Sequence, residues 1–143
     1  MSETARAHLL ARATTQSETQ ITRAILQYLG ARGIAAWRVN SRVIDLPGKG
    51  GRQRPVRFGG MKGMSDIVGI VPSEGPTVWR QIHAKATTIW QQTQTVGRFL
   101  AIEVKSAKGQ PTPYQLAFLD LVRRHGGLAF VARSVDDVKA RGL

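Results

Sequence analysis

The chain has 143 residues, enough for one domain with a hydrophobic core, and its 21 lysines and arginines against 9 acidic residues give a net charge of +12. A field of this sign favours a polyanionic partner, with nucleic acid ahead of an anionic membrane surface. The absence of cysteine excludes disulfides, thiolate metal sites and a cysteine nucleophile, and the lack of long apolar runs or a secretory signal predicts a soluble, cytoplasmic protein.

The first clear helical pattern opens the predicted single domain, which we place at residues 15–143 after a mobile arm of residues 1–14. Thr15 and Glu18 fit a capping box at the start of this helix, and Gly30 with Gly33 predicts its end. The apolar stripe between them, at helical spacing, consists of Ile21, Ala24, Ile25, Tyr28 and Leu29.

Strand patterns follow this helix. Residues 34–41 predict a strand, and the Pro and Gly clusters of residues 42–63 predict a hairpin or a flexible loop. The β-branched runs at 65–71 and 99–105 are typical of central strands. Residues 72–97 fit neither a helical nor a strand pattern, so they receive no assignment.

The last third of the chain predicts a helix, a strand and a short helix. Thr112 and Pro113 suit the N-cap and the first residue of the longer helix, and residues 126–127 suit its end. Residues 128–132 suit a strand, and residues 134–137 suit a second capping box at the start of the short helix. One face of the longer helix is predicted to carry Tyr114, Ala117, Phe118, Leu121 and Val122. The order of elements predicts an α/β fold with a central mixed sheet flanked by helices.

Two oppositely charged residues interrupt the apolar strand at 99–105. Residues two apart in a strand point to the same side, so Glu103 and Lys105 project from one face. Asp66 lies at the start of the strand at 65–71, and pairing of the two strands would bring the carboxylates of Asp66 and Glu103 within roughly 5 Å. That separation suits a divalent cation, with Lys105 placed to orient a water or to stabilise charge on a phosphate.

Two further side chains fit this scheme. Glu18 lies seven positions before Ile25, on the helical face of the apolar stripe, so its carboxylate could point inward to the same ion. Gln115 lies in the first turn of the helix after the Glu-x-Lys strand, where its amide could contact the lysine, a water or a phosphate. Structural alternatives remain open: an exposed edge-strand ion pair for Glu103 and Lys105, helix capping for Glu18, turn capping for Asp66, and an ordinary helical position for Gln115.

The segment "GMSD" ends 37 positions before the glutamate of "IEVK", and "GQPTPYQLAFLDLVRRHGGLAFVARSVDDV" follows. Together these motifs resemble the VRR-NUC family, the virus-type replication-repair nucleases of the PD-(D/E)XK superfamily. The resemblance covers residues 17–138. The Glu-x-Lys tripeptide alone is a weak signal, and its combination with the Ser-Asp strand, the glutamine helix and the final strand makes the resemblance specific.

This resemblance implies a restriction-endonuclease-like core of order α-β-β-β-α-β, dependence on Mg²⁺ or Mn²⁺, and cleavage of DNA. Residue by residue, it implies metal ligation by Asp66, Glu103 and Glu18, a catalytic pair in Glu103 and Lys105, and a helix glutamine in Gln115. Two departures from the family pattern stand out. Ser65 replaces the proline of the superfamily name, and the stretch between Asp66 and Glu103 is longer than usual.

The basic residues between positions 48 and 62 predict contact with DNA, because a Gly-rich segment with five cations and no acid can follow a phosphate backbone. These cations are Lys49, Arg52, Arg54, Arg57 and Lys62. A solvated basic loop is the alternative interpretation. Arg38, on the first strand, could reach the same DNA. Trp79 and Trp90 could stack on bases, but burial in the core or at a subunit contact is the preferred interpretation.

We therefore expect a metal-dependent DNA endonuclease that hydrolyses phosphodiester bonds. We also expect a homodimer acting on branched DNA, similar to a Holliday-junction resolvase, because one site cuts one strand and symmetric resolution of a four-way junction needs two. The alternatives are a monomeric flap or nicking nuclease, a non-catalytic DNA-binding module of the same fold, and an RNA-directed nuclease, since no residue pattern here recognises a 2′-hydroxyl.

Overall fold

The structure is a computed structural model that describes residues 16–39, 42–47, 53–58 and 61–143. The elements in chain order are α1 (Glu18–Ala31), β1 (Ala35–Arg38), β2 (Arg42–Pro47), β3 (Gln53–Phe58), β4 (Ile67–Ala84), β5 (Thr87–Val104), α2 (Pro113–Arg124), β6 (Leu128–Ala132) and α3 (Val135–Lys139). The arm predicted for residues 1–14 lies outside the described residues. Within the described part of the chain, no helix is long and apolar enough to cross a membrane.

The central sheet has four strands in the order β1-β4-β5-β6. β1 pairs antiparallel with β4, and β4 pairs antiparallel with β5, whereas β5 and β6 are parallel and are connected through α2. β2 and β3 form a separate antiparallel pair, which confirms the hairpin predicted within residues 42–63. A mixed sheet between helices confirms the predicted α/β class and its restriction-endonuclease-like order of elements.

The predicted apolar stripe of α1 covers one face of this sheet. Ile21, Ile25 and Leu29 are buried in one cluster with Ile102 and Val104 of β5. Burying a side chain of this size contributes roughly 1.5–3 kcal/mol to folding. Because residues alternate along a strand, Glu103, which lies between these two β5 residues, must point to the other face.

The capping box of α1 differs from the predicted pair. Ser17 is the N-cap: its hydroxyl accepts a hydrogen bond from Gln20 N at 3.3 Å, and Gln20 Oε1 accepts one from Ser17 N at 2.9 Å. The prediction of Thr15 and Glu18 as the capping pair is wrong, because a second Ser-x-x-Gln pair lies two residues further along and sets the helix start. The Glu18 side chain therefore has another role.

α2 covers the opposite face and begins as predicted. Thr112 is its N-cap and Pro113 its first residue, and Thr112 forms a capping box with Gln115. His125 is the C-cap, and Gly126 follows with a φ of 82°, a left-handed conformation that favours glycine. The prediction of both helix ends is confirmed.

The predicted buried face of α2 is partly wrong. Phe118 and Val122 are buried as expected, but Tyr114 and Leu121 are exposed, and Leu119 is fully buried in their place. The helix packs on small side chains of the sheet, including Ala101. The helical face that meets them is centred on Phe118, Leu119 and Val122, so it is rotated from the predicted one. Sequence periodicity alone does not distinguish these two stripes, since both are apolar.

β4 and β5 continue far beyond the sheet as a two-stranded arm, which we define as residues 72–97. Each strand has 18 residues, but β1 pairs with β4 only as far as Ile70, and β6 pairs with β5 only from Leu100. Trp79 and Trp90 on this arm are 65% and 64% exposed, so burial in the core is wrong, and burial at a subunit contact stays a prediction. No pattern predicted these strands because neither side of the arm packs on a core.

Candidate active site

Asp66 is held at the start of β4 by hydrogen bonds to both neighbouring strands. Its Oδ2 accepts a hydrogen bond from Val104 N at 2.9 Å, and its main-chain oxygen accepts one from Val39 N at 2.8 Å. Ile67 pairs with Ile102, so Asp66 lies opposite Glu103 in the register. Adjacent strands are about 4.7–4.9 Å apart, which brings the two carboxylates side by side.

Glu103 is fully buried in the interior of the sheet. Its carboxylate has no solvent exposure, and neither of its oxygens accepts a well-formed hydrogen bond from the described residues. Lys105 Nζ lies 2.9 Å from Glu103 Oε1 as an ion pair, and the lysine side chain is only 13% exposed. This geometry removes the alternative of an exposed ion pair on an edge strand, because β5 lies between β4 and β6.

The pKa values of this pair reflect burial and crowding of charge. Burial raises the pKa of Glu103 to about 7; the Lys105 ammonium opposes this change, and the neighbouring Asp66 carboxylate adds to it. Burial also acts to lower the pKa of Lys105, but Glu103 outweighs it, with Glu18 and Asp66 contributing, and the net pKa is raised. Lys105 is therefore a cation at neutral pH.

The loop after β5 is fixed by contacts from three elements. Glu18, at the start of α1, accepts a hydrogen bond through Oε1 from Ser106 N at 3.1 Å, and Lys105 N donates to Ala132 O of β6 at 3.0 Å. The Arg133 guanidinium donates to Gly109 O at 2.7 Å. These contacts hold the backbone at Lys105 and in the residues that follow it. Sequence reasoning missed Arg133, since no local pattern connects it to a loop 24 residues earlier.

The carboxylates present fit a divalent cation at Asp66 and Glu103. A carboxylate buried beside another carboxylate is costly even with the Lys105 ammonium at 2.9 Å, and two adjacent carboxylates with water supply the oxygen ligands that Mg²⁺ prefers. Among the described residues, no three Asp, Glu, His or Cys side chains are grouped closely enough to hold an ion together. Glu18, the expected third ligand, accepts a hydrogen bond from the Ser106 amide through Oε1 and contributes negative charge near Lys105, and its role as a ligand stays a prediction.

Gln115 has a capping role in the structure. Its Oε1 accepts a hydrogen bond from Thr112 N at 2.7 Å, and its own backbone N donates to the Thr112 hydroxyl at 3.3 Å. Its side-chain oxygen is thus occupied, which leaves the amide nitrogen as the atom that could meet a substrate.

The loop before Asp66 packs against the first turn of α2. Lys62 Nζ lies 3.7 Å from the centre of the Tyr114 ring, a cation–π contact on an exposed surface. Gly63 has a φ of 84°, and a Cβ at this position would lie 2.5 Å from the Tyr114 backbone. Only glycine allows this close approach, which fixes the route of the chain into the Asp66 strand.

The other predicted DNA-contact residues fall in different places. Lys49 and Arg52 lie outside the described residues, whereas Arg54 and Arg57 lie on β3. Arg38 ends β1 opposite Ile67, which is buried on the α1 side of the sheet. It lines a cavity of about 200 Å³ with Thr19, Thr22, Arg23 and Leu26, on the sheet face opposite the carboxylate pair.

A mixed sheet between helices, with an aspartate and a Glu-x-Lys pair on its two central strands, is the arrangement of a restriction-endonuclease-like nuclease. The family model of the VRR-NUC domain matches residues 7–136, and the chain belongs to this family. It is therefore a nuclease of the PD-(D/E)XK type, a hydrolase whose partner is DNA. No curated protein and no solved structure matches the chain.

The burial of Glu103 predicts a pH-dependent loss of stability in the protein kept free of metal by a chelator. Folding raises the pKa of Glu103 from 4.5 to about 7. The stability that its protonated form contributes is therefore fully present below pH 4.5 and is lost as the pH rises through 7. Unfolding free energies measured from pH 4.5 to 8 should therefore fall in the wild type relative to Glu103→Gln, by up to about 3 kcal/mol.

The matched control is Asp120→Asn, which removes an exposed carboxylate on α2. Its difference from the wild type should stay nearly constant over the same pH range. A parallel course for the wild type and Glu103→Gln would show that Glu103 is not buried as a carboxylate.

Proposed function

We propose that this nuclease is a divalent-metal-dependent DNA endonuclease whose reaction centre consists of Asp66, Glu103 and Lys105. The observation that carries the proposal is the buried Glu103 carboxylate, whose partner is the Lys105 ammonium and which lies beside a second carboxylate. Such an arrangement destabilises the fold, so it favours catalysis over a purely structural role. It also argues against a non-catalytic DNA-binding module, which would gain nothing from it.

Asp66 and Glu103 would hold Mg²⁺ or Mn²⁺, and their carboxylate oxygens favour neither ion over the other. Such an ion supplies Lewis-acid polarisation of the scissile phosphodiester and of the attacking water. The hydrogen bond from Val104 N to Asp66 Oδ2 fixes that carboxylate and leaves Oδ1 available as a metal ligand. Glu103 Oε1 is paired with Lys105 Nζ at 2.9 Å, which leaves Oε2 available as a metal ligand.

Lys105, Glu18 and Gln115 have supporting roles in the proposed reaction. Lys105, a cation at neutral pH, orients the water or stabilises negative charge that develops on the phosphate oxygens. Glu18 holds the loop that carries Lys105 through the Ser106 amide. The Gln115 amide nitrogen is placed at the start of α2 as a donor to the DNA phosphate.

Substitution of the reaction-centre residues should separate cleavage from binding. We expect Asp66→Asn and Glu103→Gln to reduce cleavage of duplex DNA at least about a hundredfold while DNA affinity stays within a few fold. Lys105→Ala should lose turnover to a similar extent but still bind the cation. Cleavage in Mg²⁺ and in Mn²⁺, DNA affinity and calorimetric metal titration are the measurements.

The control for these variants is again Asp120→Asn, since it removes one exposed carboxylate from the surface of α2. It should cleave at the wild-type rate. Full activity of either carboxylate variant would exclude the proposed centre, and loss of metal binding in Lys105→Ala would exclude the role given to that lysine.

The basic segment from residue 48 to 62 is the proposed path of the DNA backbone. It leads directly into the Asp66 strand, and the exposed Lys62 lies against α2 just before this strand. Replacing Arg52, Arg54 and Arg57 by alanine should weaken binding of every sequence alike. The slope of log affinity against log salt should become shallower by up to about 0.9 for each phosphate that the protein no longer neutralises.

A control with the same change in charge replaces Arg32, Arg124 and Lys139, which are exposed elsewhere on the surface. Its salt slope should remain close to that of the wild type. Equal slopes for the two triple variants would place the DNA on another surface.

We further propose that the nuclease acts as a homodimer on branched DNA. Each chain offers one carboxylate pair, and two sites related by a twofold axis would cut a four-way junction symmetrically. Mapping of cuts on a labelled junction should show paired nicks at equivalent positions on opposing strands. Cuts on one strand alone, at a rate first order in monomer, would favour a monomeric flap or nicking nuclease instead.

A further inference from the structure

The arm carries its two tryptophans on one side. Cross-strand partners in an antiparallel pair share a face, and here Trp79 pairs with Gln92 while Gln81 pairs with Trp90. The tryptophans are therefore diagonal neighbours on a single surface, which we call the tryptophan face (Trp79, Gln81, Trp90 and Gln92). Both indoles are about two-thirds exposed, and the described residues place no other element over them.

Polar side-chain pairs frame this face at both ends. His83 Nδ1 and Thr88 Oγ1 lie 2.9 Å apart near the tip, and Gln94 donates to the Thr77 hydroxyl at 3.2 Å near the base. These bonds run between the strands on the side of the tryptophans and limit sliding of one strand past the other. The face is thus a preformed surface rather than a set of independent side chains.

The charge distribution on the arm favours a second copy of this chain as the occupant. The tryptophan face contains no lysine, arginine, aspartate or glutamate, whereas Arg80 points to the other face and Lys85 occupies the turn. A chain with a net charge of +12 repels itself over most surfaces, so an uncharged aromatic face is where two copies can approach. A DNA strand would be expected to meet cations there, and this face offers none.

The size of the face is at the lower end of what a specific contact needs. Two tryptophans that are 65% and 64% exposed offer roughly 200–330 Å² per chain, and with the polar side chains beside them the contact would bury about 1,000 Å² in total, the lower end of specific interfaces. Tryptophans at the centre of an interface contribute most of its binding free energy. Glutamine and threonine around them can hydrogen-bond to their symmetry mates.

We propose that two copies of this chain pair through their tryptophan faces about a twofold axis. The proposal rests on the homodimer of the proposed function and identifies the surface that forms it. The contact is isologous, since each face meets its own copy. It also gives a role to the long stretch between Asp66 and Glu103, which the sheet itself does not need.

The test compares two double variants of the same arm. Trp79→Thr with Trp90→Thr removes the aromatic contact with a residue that suits strands, and Val78→Thr with Ile89→Thr is the matched control on the other face. By light scattering at micromolar concentration, the wild type and the control should show twice the chain mass of 15.6 kDa. The tryptophan variant should show the monomer mass, with a dissociation constant raised at least about 100-fold.

Either of two results would overturn this proposal, and a third measurement separates it from the proposed nuclease activity. A dimeric tryptophan variant would place the interface elsewhere and leave the homodimer intact. A monomeric wild type would remove the homodimer as well. Nicking of linear duplex by the tryptophan variant at the wild-type rate would show in either case that the reaction centre is unaffected.

Tryptophan fluorescence provides a second measurement that does not depend on folding of the variants. The emission of the wild type should shift to longer wavelength on dilution, as the two exposed indoles of each arm leave the interface and enter water. Short oligothymidylate, added to wild-type protein diluted until it is monomeric, should leave the emission unchanged. If oligothymidylate quenches the fluorescence of the wild type but not that of the Trp79→Thr and Trp90→Thr double variant, the tryptophans stack on bases. That result would overturn pairing of two chains as the role of the face.

Discussion

A carboxylate buried beside a second carboxylate, with a lysine ammonium as its partner, is the constraint on which the site depends. Ile102 and Val104 must face α1 to complete the core, so the residue between them must face the other side of the sheet. Placing Glu103 there puts a charge where burial opposes it, and the Lys105 ammonium at 2.9 Å offsets only part of that cost. The free energy for this arrangement comes from the apolar clusters on both faces, which hold the strand in register whether or not the carboxylate is satisfied.

The surrounding elements restrict the motion of these groups. Val104 N fixes Asp66 from the neighbouring strand, Ala132 O fixes the backbone of Lys105 from the parallel strand, and Glu18 fixes the following residue from the start of α1. All of these hydrogen bonds involve the backbone, so the site is positioned by the sheet and its helices rather than by a mobile loop. Preorganisation of this kind fixes charged groups, before a reaction begins, at positions where they stabilise the charge that develops in the transition state.

Strand periodicity was sufficient to predict the two central strands and to place Glu103 and Lys105 on one face. The proximity of Asp66 and Glu103 depended on the condition that their strands pair, and the structure has that pairing. Competing local signals explain the errors. Two capping pairs overlap at the start of α1, and two apolar stripes overlap on α2, so contacts with the sheet decided between them. The arm has no buried side, and therefore no hydrophobic period indicated its strands.

The direct test of whether Asp66 and Glu103 together hold a divalent cation is a crystal structure of the protein with Mn²⁺, using the anomalous signal of the metal. We expect one strong anomalous peak within about 2.3 Å of a carboxylate oxygen of each residue, and its loss in crystals of Asp66→Asn. An empty site at saturating Mn²⁺, or a peak held by other residues with Glu103 paired only to Lys105, would contradict it.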